Sequence, residues 1–253
     1  MRILLTGAGG QVGHELARTL SPLGVVHALD RAALDLADAG AIAAACRAIA
    51  PGLIVNAAAY TAVDRAESEP VLAEAVNGRA PGILAREARR LDAVLVHYST
   101  DYVFDGASRR PYAEDDATGP LNAYGLSKLS GERAIAESGC KHLVFRTSWV
   151  YGPRGRNFLA TMLSLAATRE EVRVVDDQRG APTSSIFLAE ATARALRAIP
   201  SAGVASGIYH LSAAGETTWA GFARAIFARA AARPGFRAPR VVAIATSEYP
   251  TPA

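Results

Sequence analysis

At 253 residues, half of them hydrophobic and a fifth charged, the chain is sized for one large α/β domain or for a nucleotide domain with a small companion. A net charge of only +3, with both signs interspersed and no basic run, argues against nucleic acid as a partner, and the pI near 9.0 reflects an arginine-rich surface. Cys46 and Cys140 have neither metal-ligand spacing nor a second pair for a disulfide framework, which fits a reducing cytoplasm. The apolar run at residues 3–5 is too short for a secretion signal, and no stretch is long enough to span a membrane.

In chain order, residues 2–6 read as a buried strand and 10–20 as a helix with Val12, Leu16 and Leu20 on one face. Pro22 and Gly24 break the chain before a second strand at 25–29. A helix at 38–50, ended by Pro51-Gly52, leads to a third strand at 53–55. A broken helical region at 70–91, a strand at 93–98, a helix at 124–138 and a fifth strand at 142–147 follow. Apolar strands alternating with helices predict an α/β fold, a doubly wound parallel (Rossmann) sheet covered on both faces. Beyond Trp149 the pattern loosens into helices at 157–168, 186–199 and 218–232 and strands at 172–175 and 207–211. The expected organisation is a dinucleotide-binding domain over 1–149 and a smaller, partly interleaved substrate lobe over 150–253.

The turn after the first strand is T-G-A-G-G-Q-V-G. The short G-x-G-x-x-G spacing fails, because Val12 stands where its last glycine would be, but Gly7, Gly10 and Gly13 repeat every third residue. Glycines let backbone N–H groups approach a pyrophosphate, and the following helix N-terminus favours the anion. Asp30, at the end of the second strand, stands where an acid reaches the adenosine ribose. Its carboxylate favours the free 2′-hydroxyl of NAD(H), whereas Arg31 could hold the 2′-phosphate of NADP(H).

Tyr124 and Lys128 lie four apart on one helix, so their side chains share a face. A nearby cation eases loss of a phenolic proton, which Tyr124 can give to a carbonyl oxygen while hydride arrives at carbon. Only two lysines occur in the chain, Lys128 and Lys141. The segment Y-S-T-D-Y-V-F, residues 98–104, lies at the carboxyl edge of the sheet, where doubly wound folds bind ligands. Thr100 can donate to a substrate carbonyl and Asp101 can accept from a sugar hydroxyl. Trp149, just past a strand end, reads either as a core ring or as a platform for a sugar.

Longer runs now carry a resemblance: G-Q-V-G-H-E-L, V-N-A-A-A-Y-T-A-V-D-R-A-E-S-E-P, H-Y-S-T-D-Y-V-F, P-L-N-A-Y-G-L-S-K-L-S-G-E, F-R-T-S-W-V-Y, D-D-Q-R-G-A-P-T and Y-P-T-P-A. In these the chain resembles the extended short-chain dehydrogenases and, within them, the dTDP-4-dehydrorhamnose reductases. The resemblance implies reduction of a 4-keto sugar nucleotide, a dTDP-sugar, with NADPH or NADH. It implies Gly10, Gln11, Val12, Asp30, Asp35, Leu36, Ala59, Tyr60 and Thr61 as cofactor contacts. Thr100, Tyr124 and Lys128 form the implied catalytic set, and Thr100, Asp101 and Trp149 contact the deoxysugar. Some relatives form homodimers around a magnesium ion held by glutamates. Glu15 matches one of these as an exposed helix acid, but Ile186 stands where a second would align, so no metal site is expected here. Family members continue past Y-P-T-P-A into an Arg-Pro segment and a terminal helix, and part of the substrate lobe is expected to be missing from 253 residues. Two other readings share the fold: a non-catalytic regulatory subunit, and a 4-epimerase or dehydratase, for which Asp101 would serve as the extra acid beside the threonine.

Overall fold

The computed structural model describes residues 1–202 and 205–253, and they form two compact units. The first comprises residues 1–147, 186–211 and 252–253, the second 148–185 and 212–251.

The first unit is built on β1 (Arg2–Thr6), β2 (Val25–Leu29), β3 (Leu53–Asn56), β4 (Val94–Thr100) and β5 (Lys141–Thr147). A sixth strand, Gly207–His210, joins the outer edge of β5, and every pairing in the sheet is parallel. The spatial order runs from Gly207–His210 through β5, β4, β3 and β1 to β2. Parallel neighbours need crossovers, which α1 (Gln11–Leu20), α2 (Ala39–Ile49) and the helices Ala80–Arg90 and Ala123–Ser138 supply. Leu4, Ile42, Cys46, Ile54, Leu84, Leu95, Ile135 and Val144 fill one face of the sheet as a continuous core. Burial pushes the Cys46 thiol up to about 11, so this cysteine is an inert core residue. The strand order reverses at β1 and β3, which places a ligand crevice beyond their carboxyl ends.

The residues expected to form a lobe over 150–253 are interrupted, because 186–211 belong to the first unit. The reason is hydrogen bonding: Gly207–His210 completes the edge of β5 with the register Gly207 to Leu143. The helix expected at 186–199 extends over Ser185–Ala202.

The helical region after β3 is broken for a visible reason. Pro70–Glu74 leads into one turn of π-helix at Ala75–Arg79 before Ala80–Arg90. Pro81 has no N–H to return to the Asn77 carbonyl, and the Ala80 N–H reaches five residues back to Ala75.

The second unit has its own core. Strand Glu171–Val175 pairs in parallel with Arg240–Ile244, a strand the sequence pattern did not suggest. The unit's helices are Phe158–Ala166 and Trp219–Ala230, and Met162, Val172, Val174, Ala223, Ile226 and Phe227 form its centre. No helix of the described residues is long and apolar enough to cross a membrane.

Candidate active site

Thr6, the last residue of β1, donates to Asn56 Oδ1 of β3 at 2.6 Å and locks the carboxyl ends of the two strands together. The chain then turns at Gly7 with φ +70°, and a Cβ there would lie 2.6 Å from the Ala58 nitrogen. The loops after β1 and β3 therefore touch at the switch point, which a larger residue would prevent. The Gly10 N–H donates to the Gly7 carbonyl at 2.9 Å, and a methyl on Gly13 would overlap that carbonyl. Gly10 caps α1 without a side-chain hydrogen bond, and the first turn carries no acidic residue. This concave backbone, with α1's positive end uncompensated and Gln11 and Val12 opening the helix, fits a pyrophosphate.

Asp30 follows β2 and is exposed, its Oδ1 accepting from the Ala33 N–H at 3.0 Å. Asp35 is likewise exposed and accepts from the Ala37 N–H. Leu36 differs from its neighbours: its side chain is in the core, 5% exposed, packed in the same cluster as Ile42. Its isobutyl group is thus committed to packing, which leaves its backbone for any contact with adenine. Ala59, Tyr60 and Thr61 follow β3. The Tyr60 backbone is gripped at both ends by Asn77, which accepts from its N–H at 2.8 Å and donates to its carbonyl at 2.9 Å. Asn77 also donates to Ser127 Oγ at 3.0 Å, one residue before Lys128. The π turn therefore hands Asn77 to both halves of the site, a role that motif spacing did not reveal.

β4 runs two residues further than expected, so Ser99 and Thr100 are strand residues. Thr100 caps the next turn by accepting from the Tyr102 N–H, and its hydroxyl donates to Asp101 Oδ1 at 3.0 Å. The Tyr124 phenol lies close enough to Thr100 for the threonine to ease its ionisation. Burial pushes the Asp101 carboxyl up to about 6. Burial also raises the Tyr124 phenol well above its usual range, with Asp101 adding to the effect. The sequence expectation that Lys128 lowers the phenol is not met in this geometry. The ammonium lies one turn away, where it donates to the Tyr98 carbonyl at 2.6 Å and meets His97 Nε2 at 3.2 Å. Lys128 is 1% exposed, and burial brings it down to about 8.

Trp149, the second residue of the second unit, has φ +47°, a conformation that bulky residues rarely adopt. Its ring stacks on Trp219 with centroids 3.5 Å apart, so one face is covered. Glu15 is not an exposed helix acid: it is 9% exposed and sits 3.6 Å from Arg18. Among the described residues no three His, Cys, Asp or Glu side chains come together as a metal site.

The whole chain, residues 1–253, matches the family model described as the RmlD substrate binding domain. The chain belongs to that family. The RmlD relatives include a dTDP-4-dehydrorhamnose reductase of Burkholderia thailandensis, 52% identical over 260 residues, covering 100% of this chain and 87% of the relative. A dTDP-4-dehydrorhamnose reductase of Escherichia coli K12 is 48% identical, with 100% and 86% covered. A crystal structure of the Bacillus anthracis reductase in complex with NADP superposes on this RmlD-family chain with a TM-score of 0.92 at 35% identity, covering 100% of this chain and 86% of that one.

Proposed function

We propose that this chain reduces the C4 ketone of dTDP-4-dehydro-L-rhamnose to dTDP-L-rhamnose, using NADPH or NADH, in the cytoplasm. The observation that carries the reading is the grouping of Tyr124 with the hydrogen-bonded Thr100 and Asp101, and a buried Lys128 one turn along the Tyr124 helix, in a sequence about half identical to named reductases. Bound nicotinamide dinucleotide supplies the hydride. We assign Gly7, Gly10, Gly13, Gln11 and Val12 to its pyrophosphate. Asp30, Asp35 and the Leu36 backbone take its adenosine end, and the 59–61 loop lies along it. Tyr124, kept protonated by burial, is suited to give its proton to the ketone oxygen as that oxygen becomes an alkoxide. Thr100 turns its hydroxyl from Asp101 to the same oxygen, and Asp101 is then open to a sugar hydroxyl. Trp149, stacked on Trp219 and packed against Gly180, is the deoxysugar contact that the resemblance implies. The resemblance extends the proposal to a homodimer.

The test is oxidation of NADPH or NADH by purified protein with and without the 4-keto sugar nucleotide. Turnover should require the sugar, and Tyr124→Phe should lower kcat by about 10²–10⁴-fold. Unchanged turnover in that variant would remove Tyr124 from the mechanism. Tightly held cofactor recycled without net oxidation would favour an epimerase or dehydratase.

A further inference from the structure

Behind the lysine lies a polar chain that crosses the sheet: Thr6 of β1, Asn56 of β3, His97 of β4 and Lys128. All four are buried, none above 1% exposed, three of them in strands of the sheet and Lys128 on the helix Ala123–Ser138. Groups so placed must be paired, and the pairing fixes which atoms carry protons. The Ala58 backbone N–H can only donate, and it faces Asn56 Oδ1 at 3.3 Å, as does the Thr6 hydroxyl at 2.6 Å. Asn56 Nδ2 is therefore the atom turned to His97 Nδ1, 3.0 Å away. An amide nitrogen only donates, so Nδ1 is bare. The neutral imidazole then carries its proton on Nε2, the atom that faces Lys128.

We propose that His97 is a positioning residue for proton transfer: with its tautomer fixed by Asn56, it presents Nε2–H to Lys128 and favours the amine of that lysine over the ammonium. The amine accepts from Nε2–H and still donates to the Tyr98 carbonyl, so both bonds are made; the ammonium would set proton against proton. His97 cannot yield by becoming imidazolium, since burial holds it well below its ordinary range. The other groups facing the pair do not reverse this. Glu132, one turn along the lysine's helix, is tied to Arg146 of β5 at 2.8 Å, Tyr124 on that helix is neutral, and β1 and β3 present only uncharged side chains. The consequence, which rests on the reductase reading above, is a site lysine that exchanges its proton with the medium closer to neutral pH than an ordinary ammonium does.

The chain has two lysines, so protein labelled with ¹³C at lysine Cε gives two titrating signals. Lys141, exposed and paired with Asp92, serves as the internal control. We expect the Lys128 midpoint to rise by at least one pH unit in His97→Gln, whose carbonyl can accept from an ammonium, while Lys141 stays in place. The pH profile of kcat should move the same way. In the unaltered protein, imidazole ¹⁵N shifts should give His97 as the Nε2–H tautomer, a reading that does not depend on the variant folding. An Nδ1–H tautomer, or a Lys128 midpoint that does not move in folded His97→Gln, overturns the proposal. Neither NMR measurement requires turnover, so absence of reductase activity would leave this inference standing or falling on its own.

Discussion

An ammonium withdrawn from water loses hydration that one carbonyl only partly replaces, and burial accordingly brings Lys128 down from 10.5 to about 8. Between those values the unfolded chain holds a proton that the folded chain has released. Stability therefore rises with pH across that window, and the full cost, about 3 kcal/mol, is present below it. Lys128→Met should raise the melting temperature at pH 7 while abolishing turnover, with the gain shrinking toward pH 10; a lower melting temperature at pH 7 would mean that the lysine's hydrogen bonds outweigh its desolvation. Thr100→Val keeps the shape of the side chain and removes its hydroxyl. We expect kcat to fall by about 10²–10³-fold with a small change in KM, measured at saturating cofactor. Tyr124 and Lys128 stand out in the sequence as candidates because their spacing has a chemical meaning, and Thr100 because it lies at the carboxyl end of a strand. Asn56 and His97 do not, because one polar residue in an apolar strand looks like an ordinary satisfied core residue until its neighbours across the sheet are known.

Elements carry the site as much as side chains do. The π turn at Ala75–Arg79 spends its irregularity on Asn77, whose amide holds the Tyr60 backbone and Ser127 together. Removing that amide leaves buried backbone groups unpaired, at about 1–3 kcal/mol. Asn77→Ala should therefore lower stability by that order in urea titrations. It should also weaken cofactor binding more than sugar binding, since Tyr60 belongs to the loop after β3; equal losses in both would argue for a general loosening. A break somewhere in 70–91 could be read from Pro70, Pro81 and the Asn-Gly pair, but not its form. Backbone that returns five residues instead of four is decided by what the freed groups meet in space. Strand limits were similarly close in the interior and short at the carboxyl ends, where Ser99 and Thr100 are polar yet still paired in β4.

For the molecule as a whole, the parallel sheet was readable from periodicity, and an interleaved second lobe was expected, but not that Gly207–His210 would be the strand returning to the sheet. A ligand that binds only the folded chain stabilises it by mass action, about 2.7 kcal/mol at a hundredfold excess over Kd. NADPH and NADH should each raise the melting temperature, and Arg31→Ala should reduce the shift with NADPH while sparing that with NADH; equal reduction would assign the 2′-phosphate to other groups. The edge of the sheet has a further consequence, for biogenesis. β5 ends at Thr147, and its outer partner begins only at Gly207. On a ribosome adding roughly 5–20 residues per second, several seconds pass before that partner emerges. During this interval β5 presents an edge of unpaired backbone groups, with Leu143, Val144 and Phe145 at its centre, to any other nascent chain. The arrival of Gly207–His210 closes it, so the stretch in which this protein is most exposed to mispairing is set by a connection outside the catalytic residues altogether.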